Sequence, residues 1–206
     1  MENYQTKFVA FIDVLGFKEL VAQSASDDGT FIQIMNSIYH PEHSHGMIHV
    51  EISNFSDSFV FSCCSNLMYF EVLISLVNKL YLKMLELGTL ARGGISVGSM
   101  YHDDGMAFGP AFLDAYHLEN TVARYPRIVL GKRTLDEIQS LAAKDEGRKH
   151  HSLEKWLCRD DDGVVYLDQF AEFDTAFSDQ DPDERDCFAN KAGLIRSHLA
   201  KKCPKR

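Results

Sequence analysis

From Asn66 to Leu87 the apolar residues Leu67, Phe70, Ile74, Val77, Tyr81 and Met84 recur at alternating steps of three and four, a period that gathers side chains on one face of an α-helix. Gly88 follows as a stop. Lys7 to Val14 is β-branched and aromatic and predicts a strand; Gly16–Ala25 and Gly29–Tyr39 predict helices, the second carrying Phe31, Ile34, Met35 and Ile38. "MIHVEIS" and "SFVFSCC" predict the two strands of a hairpin around the polar interruption Asn54 to Asp57. "LARGGISVGSMY" predicts a strand containing a glycine pair, and Asp103 to Gly105 a turn. Gly109-Pro110 reads as the entry to a helix reaching Ala123, since proline suits a first helical turn. "RIVLG" predicts a strand, "TLDEIQSLAA" a short helix, "GVVYLDQF" a late strand and Asp181–Lys201 a charged helix. His40–Gly46, "HPEHSHG", is a turn-rich connector, and Lys144–Asp162 reads as a polar, mobile insertion. Strands with intervening helices on one face predict an α+β sandwich. Residues 1–143 would form its core and residues 144–206 the remainder of the same domain.

Composition narrows the class. The 206 residues are 45% hydrophobic and 25% charged, enough apolar material for one globular domain with a sizeable core. Thirty acidic and 21 basic residues give a net charge of -9, which repels a long polyanion and argues against nucleic acid as a partner. A small nucleotide is compatible, because a local site can overrule net charge. Five cysteines, two of them adjacent and none in a CxxC spacing, fit a reduced intracellular protein. The polar start and the lack of a long apolar run predict a cytoplasmic protein with no membrane segment.

The candidate chemistry lies in "FVAFIDVLGFKELV" and "NFSDSFVF". Asp13 closes the first strand and Asp57 sits in the hairpin turn. Taken singly, an aspartate after a strand reads as a helix cap and one in a hairpin as a turn residue. As a pair on adjacent strands they would repel, and a divalent cation relieves that repulsion by taking oxygen ligands from both. Gly16 and Phe17, opening the first helix, would offer N–H groups to phosphates. Two further clusters carry less. "HPEHSH" lacks a second ligand group at zinc spacing and reads as a solvated loop. "DDDG" at Asp160–Gly163 lacks the later glutamate of a calcium loop and reads as a turn.

The motifs together resemble the class III nucleotide cyclases. "FIDVLGF" at Phe11–Phe17 is similar to their first metal motif and "SDSFVFS" at Ser56–Ser62 to their second; "RGGISVG" and "FGPAFLDAYHLE" resemble later segments in the same order. The match spans roughly Phe8 to Leu130. It implies a ferredoxin-like, palm-type core, a homodimer with active sites shared between chains, and two Mn2+ or Mg2+ ions held by Asp13, Ile12 and Asp57. Phe11, Gly16, Phe17, Ser53 and Met106 would contact substrate. Within the family the sequence resembles the pyrimidine cyclases of bacterial Pycsar antiphage systems. That resemblance implies conversion of UTP, or as second choice CTP, to the 3',5'-cyclic monophosphate, which acts on a separate effector.

The departures from the pattern matter as well. Purine cyclases read adenine with a lysine and an aspartate where this chain has Ser53 and Met106, so ATP is not supported as substrate. Their ribose-orienting asparagine and transition-state arginine fall on Leu113 and His117. Arg124, two turns beyond His117 if the helix continues, and Arg92 on the neighbouring strand are the candidates to replace the lost charge. A silent nucleotide-binding dimerisation module is the alternative to an enzyme, and a diguanylate-type cyclase is disfavoured by the lack of a GGDEF-like hairpin.

Overall fold

Alternation along the first strand sends Phe8, Ala10, Ile12 and Val14 to one face of a sheet and Val9, Phe11 and Asp13 to the other. All but Asp13 are buried, and a strand apolar on both faces has to lie inside a sheet that is covered on both sides. In the computed structural model, which describes residues 4–24, 29–39, 49–144 and 151–171, it does. The elements are β1 (Gln5–Leu15), α1 (Phe17–Ser24), α2 (Thr30–Tyr39), β2 (Glu51–Phe55), β3 (Ser58–Cys64), α3 (Leu67–Glu86), β4 (Leu90–Asp103), β5 (Met106–Phe108) and α4 (Pro110–His117). After a π-helical turn (Leu118–Val122) come β6 (Ile128–Leu130), α5 (Lys132–Lys144), α6 (His151–Trp156), β7 (Leu157–Arg159) and β8 (Val165–Leu167). All lie in one compact unit, Met1–Asp168; Gln169–Arg206 forms a second.

The sheet runs β2-β3-β1-β4-β6-β8-β7, with β5 pairing β4 outside this path. Every pairing is antiparallel except β4 with β6. The predicted α+β, antiparallel-rich architecture is therefore present. Its helices, however, occupy both faces and not one. The predicted stripe of α3 packs on the Phe8 side, with the Phe8 and Phe70 rings 4.6 Å apart, and Leu67, Phe70, Ile74, Val77, Tyr81 and Met84 are all buried. Asn66 caps that helix by accepting from the Met68 N–H at 2.9 Å. On the opposite side α4 covers Phe11, whose ring meets Phe112 at 5.7 Å and Tyr116 at 5.3 Å. The second apolar face of β1 requires this cover.

The glycine pair of β4 makes the two-sided packing possible. A Cβ on Gly93 would lie 2.5 Å from Ile12 Cδ1 and 2.6 Å from Phe11 O. One on Gly94 would collide with Ala115 O and lie 2.6 Å from Leu118 Cβ. Neither glycine has a positive φ; both are needed for space. Along β4, α4 presents the small buried residues Ala115, whose carbonyl lies at Gly94, and Ala111, whose Cβ lies at Gly98, and Ser96 Oγ donates to Ala111 O at 2.5 Å. Helix and strand thus approach to backbone contact.

Two further elements differ from expectation. The helix expected to reach Ala123 ends as α-helix at His117, and the chain continues as a π turn closed by the Ala123 N–H on Leu118 O at 2.9 Å. The segment read as a mobile insertion contains α6 and the edge strand β7, because Leu153 and Trp156 are buried anchors and Cys158 pairs Tyr166. Asp160–Gly163 is the expected turn, closed by the Gly163 N–H on Asp160 O. Asp160 and Asp162 each hold the buried Arg127 guanidinium at 2.5 Å. His40–Gly46 and Asp181–Lys201 lie outside the described residues. Among the described residues no helix is long and apolar enough to cross a membrane, and Cys63, Cys64 and Cys158 are free thiols.

Overpacking a closed helix–strand contact typically costs about 1–3 kcal/mol. Gly94→Ala, whose new methyl meets backbone on α4, is expected to lose about 2–3 kcal/mol in urea denaturation.

Candidate active site

The site is assembled by register. Asp13 pairs Ser58 on β3 and Arg92 on β4, so Arg92 stands directly across the ladder from Asp13. The β2–β3 hairpin pairs Phe55 with Ser58, leaving Ser56 and Asp57 as a two-residue turn. Ser56 has φ 62°, the left-handed value that a tight hairpin turn demands and that glycine ordinarily supplies. Asn54 braces it, donating from Nδ2 to Ser56 O at 3.0 Å and to Ser58 O at 3.2 Å. A main-chain bond from the Val14 N–H to Asp57 O at 2.9 Å then clamps the turn to the end of β1. Two residues far apart in sequence thereby have adjoining backbones.

Their charges interact. Burial raises the Asp13 carboxyl above its ordinary value, and the Asp57 charge raises it further, with Arg92 opposing. Arg92 Nε lies 3.6 Å from Asp13 Oδ2 and 2.5 Å from Glu119 Oε1. Glu119, in the π turn, is 3% exposed. Burial raises its carboxyl; Arg92 lowers it, and the charges of Asp13 and Asp57 raise it again. Three carboxylates thus act on one another around one guanidinium. Hard oxygen donors left under mutual repulsion suit a hard divalent cation, and Asp13 with the exposed Asp57 fit that requirement. The Ile12 side chain is fully buried and has no donor atom, so Ile12 could reach an ion only through its main-chain carbonyl. No group of three or more His, Cys, Asp or Glu is arranged to hold a metal among the described residues.

The remaining candidates are distributed unevenly. Gly16, φ 75°, turns the chain from β1 into α1 and its carbonyl accepts the first helical bond, from the Leu20 N–H at 3.2 Å. The Phe17 ring sits 6.0 Å from Phe31. Phe11 is committed to packing against α4. Ser53 is 5% exposed and its hydroxyl meets His102 Nε2 at 2.9 Å, while Ser62 Oγ meets Nδ1 at 2.8 Å. Met106 is 54% exposed at the start of β5. Arg124 is not carried along the helical face expected of it: the α-helix stops at His117, Arg124 is exposed beyond the π turn, and its charge acts on Asp162. His117 is exposed and paired with Thr121. Of the two arginines, only Arg92 is brought to the carboxylates.

Sequence reasoning missed Glu119 and His102. Glu119 had a legible signal: Ala111, Ala115 and Glu119 are spaced i, i+4, i+8 along the buried side of α4 and its continuation. An acid ending a stripe of buried alanines is anomalous and marks a site. His102 had none, because its partners come from two other strands.

No family model and no curated protein matches the sequence. Solved structures do match. The adenylyl cyclase CyaB from P. aeruginosa superimposes with a TM-score of 0.54 at 16% identity, over 82% of this chain and 96% of that one. A bacterial light-regulated adenylyl cyclase gives 0.48 at 14%, over 82% and 92%. The guanylate cyclase domain of RhGC from Catenaria anguillulae, solved in complex with GTP, gives 0.44 at 13%, over 82% and 98%. The fold is that of the adenylyl cyclase CyaB.

His102 generates a prediction of its own. Burial, and secondarily the Lys7 charge, push its imidazole down to about 4, with Asp103 opposing. The unfolded chain takes up this proton near pH 6.5 and the native one does not, so stability falls as pH drops from about 6.5 toward 4, by about 3 kcal/mol in all. Urea denaturation across that range is expected to show the loss, and His102→Gln to remove most of it.

Proposed function

We propose that the protein is a metal-dependent nucleotide cyclase acting on a pyrimidine nucleoside triphosphate, UTP before CTP, in bacterial antiphage signalling. The observation that carries the cyclase reading is the clamp of the Asp57 turn onto the end of β1, which joins two carboxylates in a cyclase-type fold. Divalent ions held there would lower the pKa of the ribose 3'-hydroxyl and stabilise charge on the α-phosphate as pyrophosphate leaves. The residues of the chain orient and neutralise. Asp13 and Asp57 would hold the cations, with the Ile12 carbonyl beside them, and the first turn of α1, opened by Gly16 and Phe17, would offer its N–H groups to phosphate oxygens. Within one chain Arg92 is the candidate to supply positive charge beside the reacting phosphate; in a shared dimer site Arg124 of the partner subunit would remain the other candidate.

The pyrimidine preference rests on the resemblance of the motifs and on the absence of the adenine-reading charge pair. Ser53 is neutral and its hydroxyl already serves His102, and Met106 is apolar, so the purine-type contacts have no equivalent at these positions. Met106, Phe108, Leu113 and Tyr116 are exposed large hydrophobics on β5 and α4, which supports a homodimer formed through these elements. A silent binding module is the second reading, favoured by the exposed Leu113 and His117 where the family carries its asparagine and arginine.

Purified protein incubated with Mn2+ and each of the four ribonucleoside triphosphates, with products identified by mass, is expected to yield one cyclic pyrimidine monophosphate. Asp57→Asn should fold normally and make none; no product from any nucleotide by the wild-type protein would favour the silent module. Leu113→Glu is expected to shift the light-scattering mass from dimer to monomer and to reduce turnover by at least about tenfold, as one buried charge is not tolerated in an interface core.

A further inference from the structure

Glu119 poses a problem that the proposed chemistry leaves untouched. A carboxylate that is 3% exposed loses most of its hydration, and one partner of opposite charge rarely compensates for that loss unless alignment is good. Here it is not good: Glu119 Oε1 and Arg92 Nε are 2.5 Å apart, yet both atoms are buried without an aligned hydrogen bond. The fold nevertheless takes trouble to bring the carboxylate there, through a π turn and through Gly94, where a Cβ would lie 3.0 Å from Glu119 N. π turns of this kind are enriched at functional positions.

Asp13 supplies the explanation. Arg92 has two anionic neighbours, Glu119 at 2.5 Å and Asp13 at 3.6 Å, and they compete for it. A guanidinium drawn fully onto Asp13 would form the paired fork that arginine makes with carboxylates and would occupy the oxygens a cation needs. Asp13, Asp57 and Glu119 do not form a three-ligand group among the described residues. We infer that Glu119 is a positioning residue: it holds Arg92 back from Asp13, so that the Asp13–Asp57 pair stays open to a divalent cation while the guanidinium is kept beside the site. This rests on the reading of that pair as the cation site. Three carboxylates against one guanidinium also leave a formal excess of two negative charges, which a single divalent ion cancels.

The experiment is a titration of full-length protein with Mn2+ alone, reading free Mn2+ by electron paramagnetic resonance, with circular dichroism melts alongside. Glu119→Gln is expected to raise the Mn2+ dissociation constant by about tenfold, because Arg92 then closes on Asp13. The double variant Arg92→Gln/Glu119→Gln, which has the wild-type net charge and no competing guanidinium, is expected to return to within about threefold of wild type. A general loss of structure would not be rescued in this way. If Glu119→Gln melts early, Glu119→Asp, which keeps the charge but shortens its reach, is expected to weaken binding by a smaller factor. Wild-type Mn2+ binding that Glu119→Gln leaves unaltered, or a double variant as weak as the single one, overturns the role of Glu119 alone. A wild-type protein that binds no Mn2+, and matches Asp57→Asn, removes the cation site and this role together.

Discussion

The close approach of α4 to β4 is the constraint on which the rest of the structure depends. It exists because Gly94 has no side chain where the Ala115 carbonyl and the Glu119 N–H approach, and because Ala111 and Ala115 are the smallest side chains a helix can carry. Backbone contact at this point lets α4 cover the second apolar face of β1, so β1 is buried on both sides as an interior strand between β3 and β4. The same approach seats the π turn over the end of β4, where Arg92 is, and Arg92 is in turn fixed across the ladder from Asp13. Packing and electrostatics therefore share one origin. Enlarging the contact would move the helix and, with it, the buried carboxylate that neighbours the site.

The site is built from strain and repulsion that the scaffold holds in place. Ser56 occupies a left-handed conformation without being glycine, and the Asp57 turn is tied to β1 by a main-chain bond beyond the regular ladder. Asp13 is half-buried beside a like charge. Each feature is unfavourable by itself, and each is held by β1, β3 and β4, whose residues are mostly buried. Strain of this sort collects at functional positions when surrounding structure over-determines it. The His102 cluster is a contrasting case on the same sheet: a buried imidazole between two serine hydroxyls, satisfied at both ring nitrogens and valuable only while neutral.

What could be read from the linear chain was what periodicity and turn chemistry encode locally. The stripe of α3, the hairpin around Ser56 and Asp57, the glycine pair of β4 and the placement of both aspartates at strand ends are properties of neighbouring residues, so the sequence by itself determined them. The motif order also pointed to the cyclase fold that the superposition with CyaB bears out. Local signals failed where the outcome depended on a distant partner. The α4 helix departs into a π turn after His117 because of what it meets on β4, and the segment after Lys144 gains a helix and an edge strand because Leu157, Cys158 and Arg159 find β8. Which arginine reaches the carboxylates, the burial of Glu119 and the enclosure of His102 were decided by tertiary structure alone: each depends on strand register and on the distance between a helix and a sheet, and neither quantity is carried by any short stretch of sequence.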